Sequence, residues 1–380
     1  MNDDLLLVGS IPLDTAHEVF RVFGPALGEH LRYLPDGEVG DRRFWIVGLA
    51  YRVFANHPEL DVVQRPAPDD DGVENWQPRG SHDDWRFRVK PGVARVRFGD
   101  PGWRLGYARD AINSYVIFRQ LKRDGLIPSH VSFQVSLPLT YSAIGLAIPD
   151  PEDQERVSDG MTAAIKAEVA NIVEHIPNDE LAIQFDLAVE NNFTERRLAE
   201  GDLEGARAVA TECAAPAEQI CSAIPGDVAL GYHSCFGTLD GWPTRQPKDL
   251  TGTVLLLNAV TAASGRKVDF VHFPTLGSSE ASWFRPLKDL DVGGARPYVG
   301  AIHHLHGQAG LGGQLETVSQ YLPEFGLAAP CGFGRAPERP GKLLTDEGGL
   351  PSDVIVAILD EHLDALKVQA ALGGAAAAGS

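Results

Sequence analysis

Residues 181–190 read LAIQFDLAVE. The stretch is almost continuously apolar until Asp186, and it ends in a second acid, Glu190. A short run that is apolar on both alternating faces suits a parallel strand covered on each side, and acids gathered at its end mark that end as the exposed one. Long amphipathic segments flank it at 159–175 and 203–223. The same beat recurs along the chain. Strand-like runs are expected at 4–10, 31–37, 131–138, 181–188, 228–235, 268–275, 297–304 and, more weakly, 325–331. Helical patterns fall between most of them, beginning with DTAHEVFRVF, where Asp14 is placed to cap, and ending at 352–371. Eight strands alternating with helices are the count of a single α/β (β/α)8 TIM barrel; an open doubly wound sheet is the alternative that periodicity leaves standing.

Two regions break the rhythm. Residues 61–103, after the second strand, hold PAPDDDG, tryptophans and the alternating runs WRFRVK and ARVRFG. They read as an inserted polar loop and hairpin, a lid or an oligomer contact. The barrel is expected to occupy 1–372, and 373–380 (GGAAAAGS) to form a low-complexity tail. GQAGLGGQ, 307–314, lacks dinucleotide and P-loop spacing and reads as a flexible loop between strand and helix.

Composition narrows the function. With 33 Lys and Arg against 52 Asp and Glu, the formal charge is −19. No basic stripe is present, so nucleic acid is not the expected partner. No apolar run has the length of a membrane span, and the N-terminus lacks the pattern of a signal peptide. Four cysteines among 380 residues do not make a disulfide scaffold. A cytoplasmic protein acting on a small molecule is the expectation, with cysteines available for metal or catalysis.

In a barrel the chemistry sits where strands end. Those ends carry Ser10, Asp36, Glu38, Asp186, Glu190, His233, Cys235, His272, His303, His304 and Cys331. His233 and Cys235 are two apart on one strand and share a face. With Cys331 in APCGFG they form an N/S set that suits Zn²⁺, the glycines allowing a tight turn beside the thiol. The competing reading makes both thiols small buried hydrophobes. Cys213 and Cys221, in an Ala-rich helical stretch, are expected to be core or surface thiols. Asp36 and Glu38 are either pocket acids or a turn with a helix-capping acid. Arg42 and Arg43 either neutralise them, grip an anionic substrate, or sit solvated in a helical turn. Of His303, His304 and His306, alternation allows only some to face a pocket.

Read in order, these elements resemble the C-terminal catalytic barrel of cobalamin-independent methionine synthases, in their shorter single-barrel form. The turn Val8-Gly9-Ser10-Ile11-Pro12, the segment Pro35-Asp36-Gly37-Glu38, the strand end Asp186-Leu187-Ala188, the pair His233-Ser234-Cys235, then Ile302-His303 and Pro330-Cys331-Gly332 follow the family's order. The resemblance implies zinc on His233, Cys235 and Cys331, and a zinc-held thiol that accepts a methyl group or opens an epoxide. It implies that Ser10 and Glu38 hold the amino-acid end of a thiol substrate, that Asp186 holds its ammonium group, and that His303 is an acid/base. Where the family has a further zinc ligand, Glu, this chain has Pro274. His272 is then expected as ligand or base, with Glu280 or the substrate itself as other fourth ligands, and His304 as a substrate contact. Two functional classes follow: a zinc-dependent transferase moving a methyl or alkyl group to a thiol, and a metal- or His-dependent hydrolase or carbon–carbon lyase using His272, His303 and Asp186.

Overall fold

The computed structural model describes residues 4–44, 46–74, 76–77, 80, 82–99, 104–302, 307–334 and 351–378. Ten strands are named in chain order: β1 (Leu5–Leu6), β2 (Tyr33–Pro35), β3 (Leu60–Gln64), β4 (Arg86–Val89), β5 (Ser132–Pro138), β6 (Leu181–Leu187), β7 (Ala229–Ser234), β8 (Phe270–Pro274), β9 (Arg296–Gly300) and β10 (Gly326–Ala328). Eight of them form one parallel sheet in the order β1-β10-β9-β8-β7-β6-β5-β2. The outer strands meet through the parallel bridges Leu5 to Leu31 and Ser10 to Gly37, which turn the sheet into a ring. Helices cover its outside, so the chain folds as a (β/α)8 barrel.

Two apolar layers follow from alternation along the strands. One side of each strand packs under the helices in a large core that includes Phe133, Phe185, Tyr232 and Phe273. The other side fills the lumen with Leu6, Val8, Phe270, Tyr298 and Ala328, against which Tyr33 packs. The lumen closes because large and small residues face each other. A Cβ at Gly231 would lie 2.2 Å from the Phe270 ring, and one at Gly326 would lie 2.4 Å from the Tyr298 ring. Above this plug the lumen turns polar. Gln134 Nε2 donates to the Leu7 carbonyl at 3.0 Å, and Gln184 Nε2 donates to the Val8 carbonyl at 2.7 Å and to Asp186 Oδ1 at 2.8 Å.

Local chemistry sets the helix starts. Thr15, not Asp14, caps helix Ala16–Leu27, in a reciprocal box with Glu18. Asp14 instead pairs with Arg43. Asp150 caps helix Pro151–His175, whose first residue is proline.

The inserted region differs from its expected form. β4 does lie in WRFRVK, but its antiparallel partner is β3, and 94–99 forms no strand. That run is pressed on helix Pro151–His175 instead, with Val96 and Phe98 buried and the Val96 carbonyl where a Cβ at Gly160 would have to go. The hairpin also docks: Phe87 N–H donates to the Ala147 carbonyl at 2.8 Å, and Val89 N–H to Asp153 Oδ2 at 3.0 Å. The glycine-rich run at 307–314 lies within helix Gly307–Ser319 rather than a loop. Its Gly313 has Ser279 Oγ 3.0 Å from where a Cβ would sit, so a side chain there would crowd the neighbouring loop. The last helix spans Pro351–Ala378, because the terminal alanines are strong helix formers. No helix among the described residues is long and apolar enough to cross a membrane.

Candidate metal centre

β7 ends in His233-Ser234 with Cys235 directly after it, and the segment after β10 carries Cys331. Barrel curvature brings them together: one donor atom from each of His233, Cys235 and Cys331 lies within 4.8 Å of the others. The two sulfurs are 3.5 Å apart. Zn–S bonds of about 2.3 Å in a tetrahedron set two sulfurs about 3.8 Å apart, so this donor set fits zinc with little movement. The hydrogen bond shared by the two sulfurs holds Cys235 well below the ordinary thiol range and pushes Cys331 above it. Gly237 N–H, 3.3 Å from the Cys235 sulfur, donates to it as well.

A cavity of about 150 Å³ opens over these groups. Its polar end is Ser10, Glu38, Asp186, His233, Cys235 and Cys331; Phe44, Ile46, Val47, Leu146 and Val189 form an apolar wall. Six of the residues expected at the site therefore line one pocket.

Each is held by a distinct device. Asp36 is the turn acid: its Oδ1 accepts Glu38 N–H at 3.0 Å, and its other oxygen pairs with Arg42. Glu38 is the pocket acid. Its backbone is left-handed (φ 52°), a conformation costing on the order of 1 kcal/mol outside glycine, and it follows left-handed Gly37. Gly9 makes room for it, since a Cβ there would lie 2.7 Å from Glu38 Oε1. Arg42 is committed to Asp36, and Arg43, at the pocket, to Asp14. Ser10 Oγ accepts Gly334 N–H at 3.1 Å, and Phe333 N–H donates to the Ser10 carbonyl at 2.8 Å, so the loop after Cys331 wraps around Ser10. Gly332 serves close approach there rather than a left-handed turn: a Cβ would lie 2.2 Å from Ser10 Oγ.

Asp186 is buried beside Cys235. Desolvation first, and the Glu38 charge second, push its carboxyl well above the ordinary range. Glu190 does not face the cavity. It is fully buried and accepts Ser142 N–H at 2.7 Å and the Ser142 hydroxyl, tying two helix starts together.

Two expectations are corrected. His272 is neither ligand nor free base: its Nδ1 lies 2.6 Å from His233 Nδ1 and its Nε2 lies 3.0 Å from the Ala329 carbonyl, so both ring nitrogens are taken. Burial and the neighbouring His233 hold it well below the ordinary histidine range, hence neutral. Glu280 is exposed at the start of helix Ala281–Phe284 and does not line the pocket. Cys213 and Cys221 are core thiols. His303, His304 and His306 lie outside the described residues.

The loop after β7 was not anticipated. Gly237, Thr238, Leu239, Asp240 and Thr244 line the cavity, with Asn192 from helix Val189–Ala199. Asn191 Nδ2 donates to the Cys235 carbonyl at 3.1 Å and steadies that residue. Consecutive asparagines just past the acidic strand end were the available signal.

No family model matches the chain, and no curated protein sequence does. Among solved structures, one from Listeria monocytogenes, of a protein provisionally named a vitamin-B12-independent methionine synthase, is similar over 92% of this chain and 86% of that one, with a TM-score of 0.50 and 12% identity. At that identity the likeness shows the fold, and the fold is a (β/α)8 barrel built around a His-Cys-Cys group able to hold a metal ion.

Proposed function

We propose that the chain is a zinc-dependent transferase that moves a methyl or other alkyl group to the sulfur of a small thiol. The observation that carries this reading is the convergence of His233, Cys235 and Cys331 at the polar end of a cavity with an apolar wall. Three soft donors leave one tetrahedral position for an incoming ligand. Zinc held there supplies the positive charge that keeps a thiol deprotonated at neutral pH.

The chain's own residues do the rest. Glu38 and Asp186 face the cavity as acceptors for a substrate ammonium group, whose charge would draw the Asp186 carboxyl back to its ionised form. Phe44, Ile46, Val47 and Leu146 exclude water from the sulfur and take the alkyl portion. Ser10, bonded to Gly334, keeps the Cys331 loop against the mouth. His303 is proposed as acid/base and His304 as a substrate contact. The partner is a small molecule rather than nucleic acid or membrane. The hydrolase or lyase reading loses one of its bases, since both nitrogens of His272 are occupied.

Untagged protein is expected to hold about one zinc per chain, and Cys235→Ser and Cys331→Ser to lose metal and thiol alkylation together. Wild-type protein without zinc, or turnover that proceeds equally without a thiol acceptor, sinks the reading. Asp186→Asn should keep its zinc and raise the thiol KM about tenfold or more.

A further inference from the structure

We propose that His272 is a positioning residue that sets the tautomer of His233, keeping the ring proton on Nδ1 and the lone pair on Nε2. The inference rests on reading His233, Cys235 and Cys331 as a metal centre. His272 on β8 is the register partner of His233 on β7, and their Nδ1 atoms are 2.6 Å apart. At that distance one nitrogen donates and the other accepts. The far side of the His272 ring settles the direction. Its Nε2 is 3.0 Å from the Ala329 carbonyl, which can only accept, so Nε2 carries a hydrogen. The ring is fully buried and its two close contacts are an imidazole and a carbonyl rather than a carboxylate, so it carries no charge and only one N–H, which leaves His272 Nδ1 bare. The proton between the rings therefore belongs to His233 Nδ1, and His233 keeps a bare Nε2, the lone pair that a metal ion needs.

The sequence is arranged to let His272 make this reach. β9 runs between β8 and β10, and Ala329 directly follows β10. The His272 ring has to pass over β9 to touch that carbonyl. It does so at Gly300, where a Cβ would lie 2.7 Å from His272 Nε2. One imidazole thus ties the strand bearing His233 and Cys235 to the backbone two residues before Cys331. Where the resemblance expects a carboxylate ligand, this chain has Pro274, and β8 acts on the centre from behind, through His272.

Two measurements test this on the full chain. In metal-free wild-type protein, imidazole ¹⁵N spectra, with the His233 signal identified by its loss in His233→Asn, should show His233 protonated at Nδ1. Protonation at Nε2 overturns the proposal. This readout needs no zinc, so it separates failure of the inference from failure of the metal reading, which appears as wild-type protein that binds no zinc. The second measurement is Zn²⁺ affinity by chelator competition. His272→Gln keeps an amide oxygen for His233 and an N–H for Ala329, and should stay within about threefold of wild type; His272→Leu keeps neither and should lose about 10- to 100-fold. Equal loss in both, or none in His272→Leu, overturns it. Should His272→Leu not fold, the wild-type tautomer and His272→Gln decide the matter.

Discussion

Asp186 and Glu190 end the same strand–helix junction, and their surroundings assign them different work. Asp186 faces the cavity beside Cys235, whereas Glu190 is sealed against Ser142. Burial pushes the Glu190 carboxyl up to about 7 from 4.5, the Ser142 bonds offsetting only part of that. Between those values the folded chain binds a proton that the unfolded chain has released, so this residue's contribution to stability falls as pH rises from about 4.5 to about 7. Above that window the folded state bears the whole cost, about 3 kcal/mol. Glu190→Gln keeps an acceptor for Ser142 N–H and does not titrate. Urea unfolding should show the variant gaining on wild type by about that much between pH 4.5 and 8; parallel pH profiles would refute the assignment.

At the scale of the elements, the lumen is the sensitive region. Gly231 on β7 faces the Phe270 ring across the barrel lining, with no space for even a methyl group. Gly231→Ala should cost about 1–3 kcal/mol in chemical denaturation. Combined with Phe270→Leu it should cost less than the sum, a coupling of about 1 kcal/mol; strict additivity would mean the two do not share the space. Each of the eight expected runs contains all or most of a barrel strand, and the signal is densest at β6 and β8, where every residue is buried. The hairpin partner was not legible. β3 exposes Val62 and Val63, so LDVVQ carries no inside–outside alternation to read. ARVRFG misled for the opposite reason: Val96 and Phe98 do alternate into the core, but against a helix and without a neighbouring strand. The grouping of His233, Cys235 and Cys331 could be read from His-x-Cys and APCGFG. The place of His272 could not, because its meeting with His233 depends on strand register, which a single chain does not encode locally.

At the scale of the molecule, the ring has a seam. β1 contributes only Leu5–Leu6 to the ladder and meets the β2 side through isolated bridges. Asp4 reinforces it from below. Its carboxylate accepts the Tyr298 hydroxyl at 2.8 Å and makes ion pairs with Arg296 at 2.6 Å and Arg32 at 3.2 Å, so one acid at the start of β1 links the approaches to β2 and β9. Asp4→Asn leaves the mostly buried Arg296 without its counter-charge and should cost about 3–5 kcal/mol; an unchanged thermal midpoint would show that the seam does not need the clamp. The pairing of Leu5 with Leu327 and the wrapping of 332–334 around Ser10 join the opposite extremes of the chain. For a polypeptide emerging from the ribosome this has a temporal meaning. Cys235 is synthesised 96 residues before Cys331, and Ser10 waits for another 324 residues before its partner Gly334 exists. Completion of the His-Cys-Cys group and completion of the barrel thus become one late event, so a nascent chain stalled short of residue 331 would display His233 and Cys235 without Cys331 on an unclosed sheet.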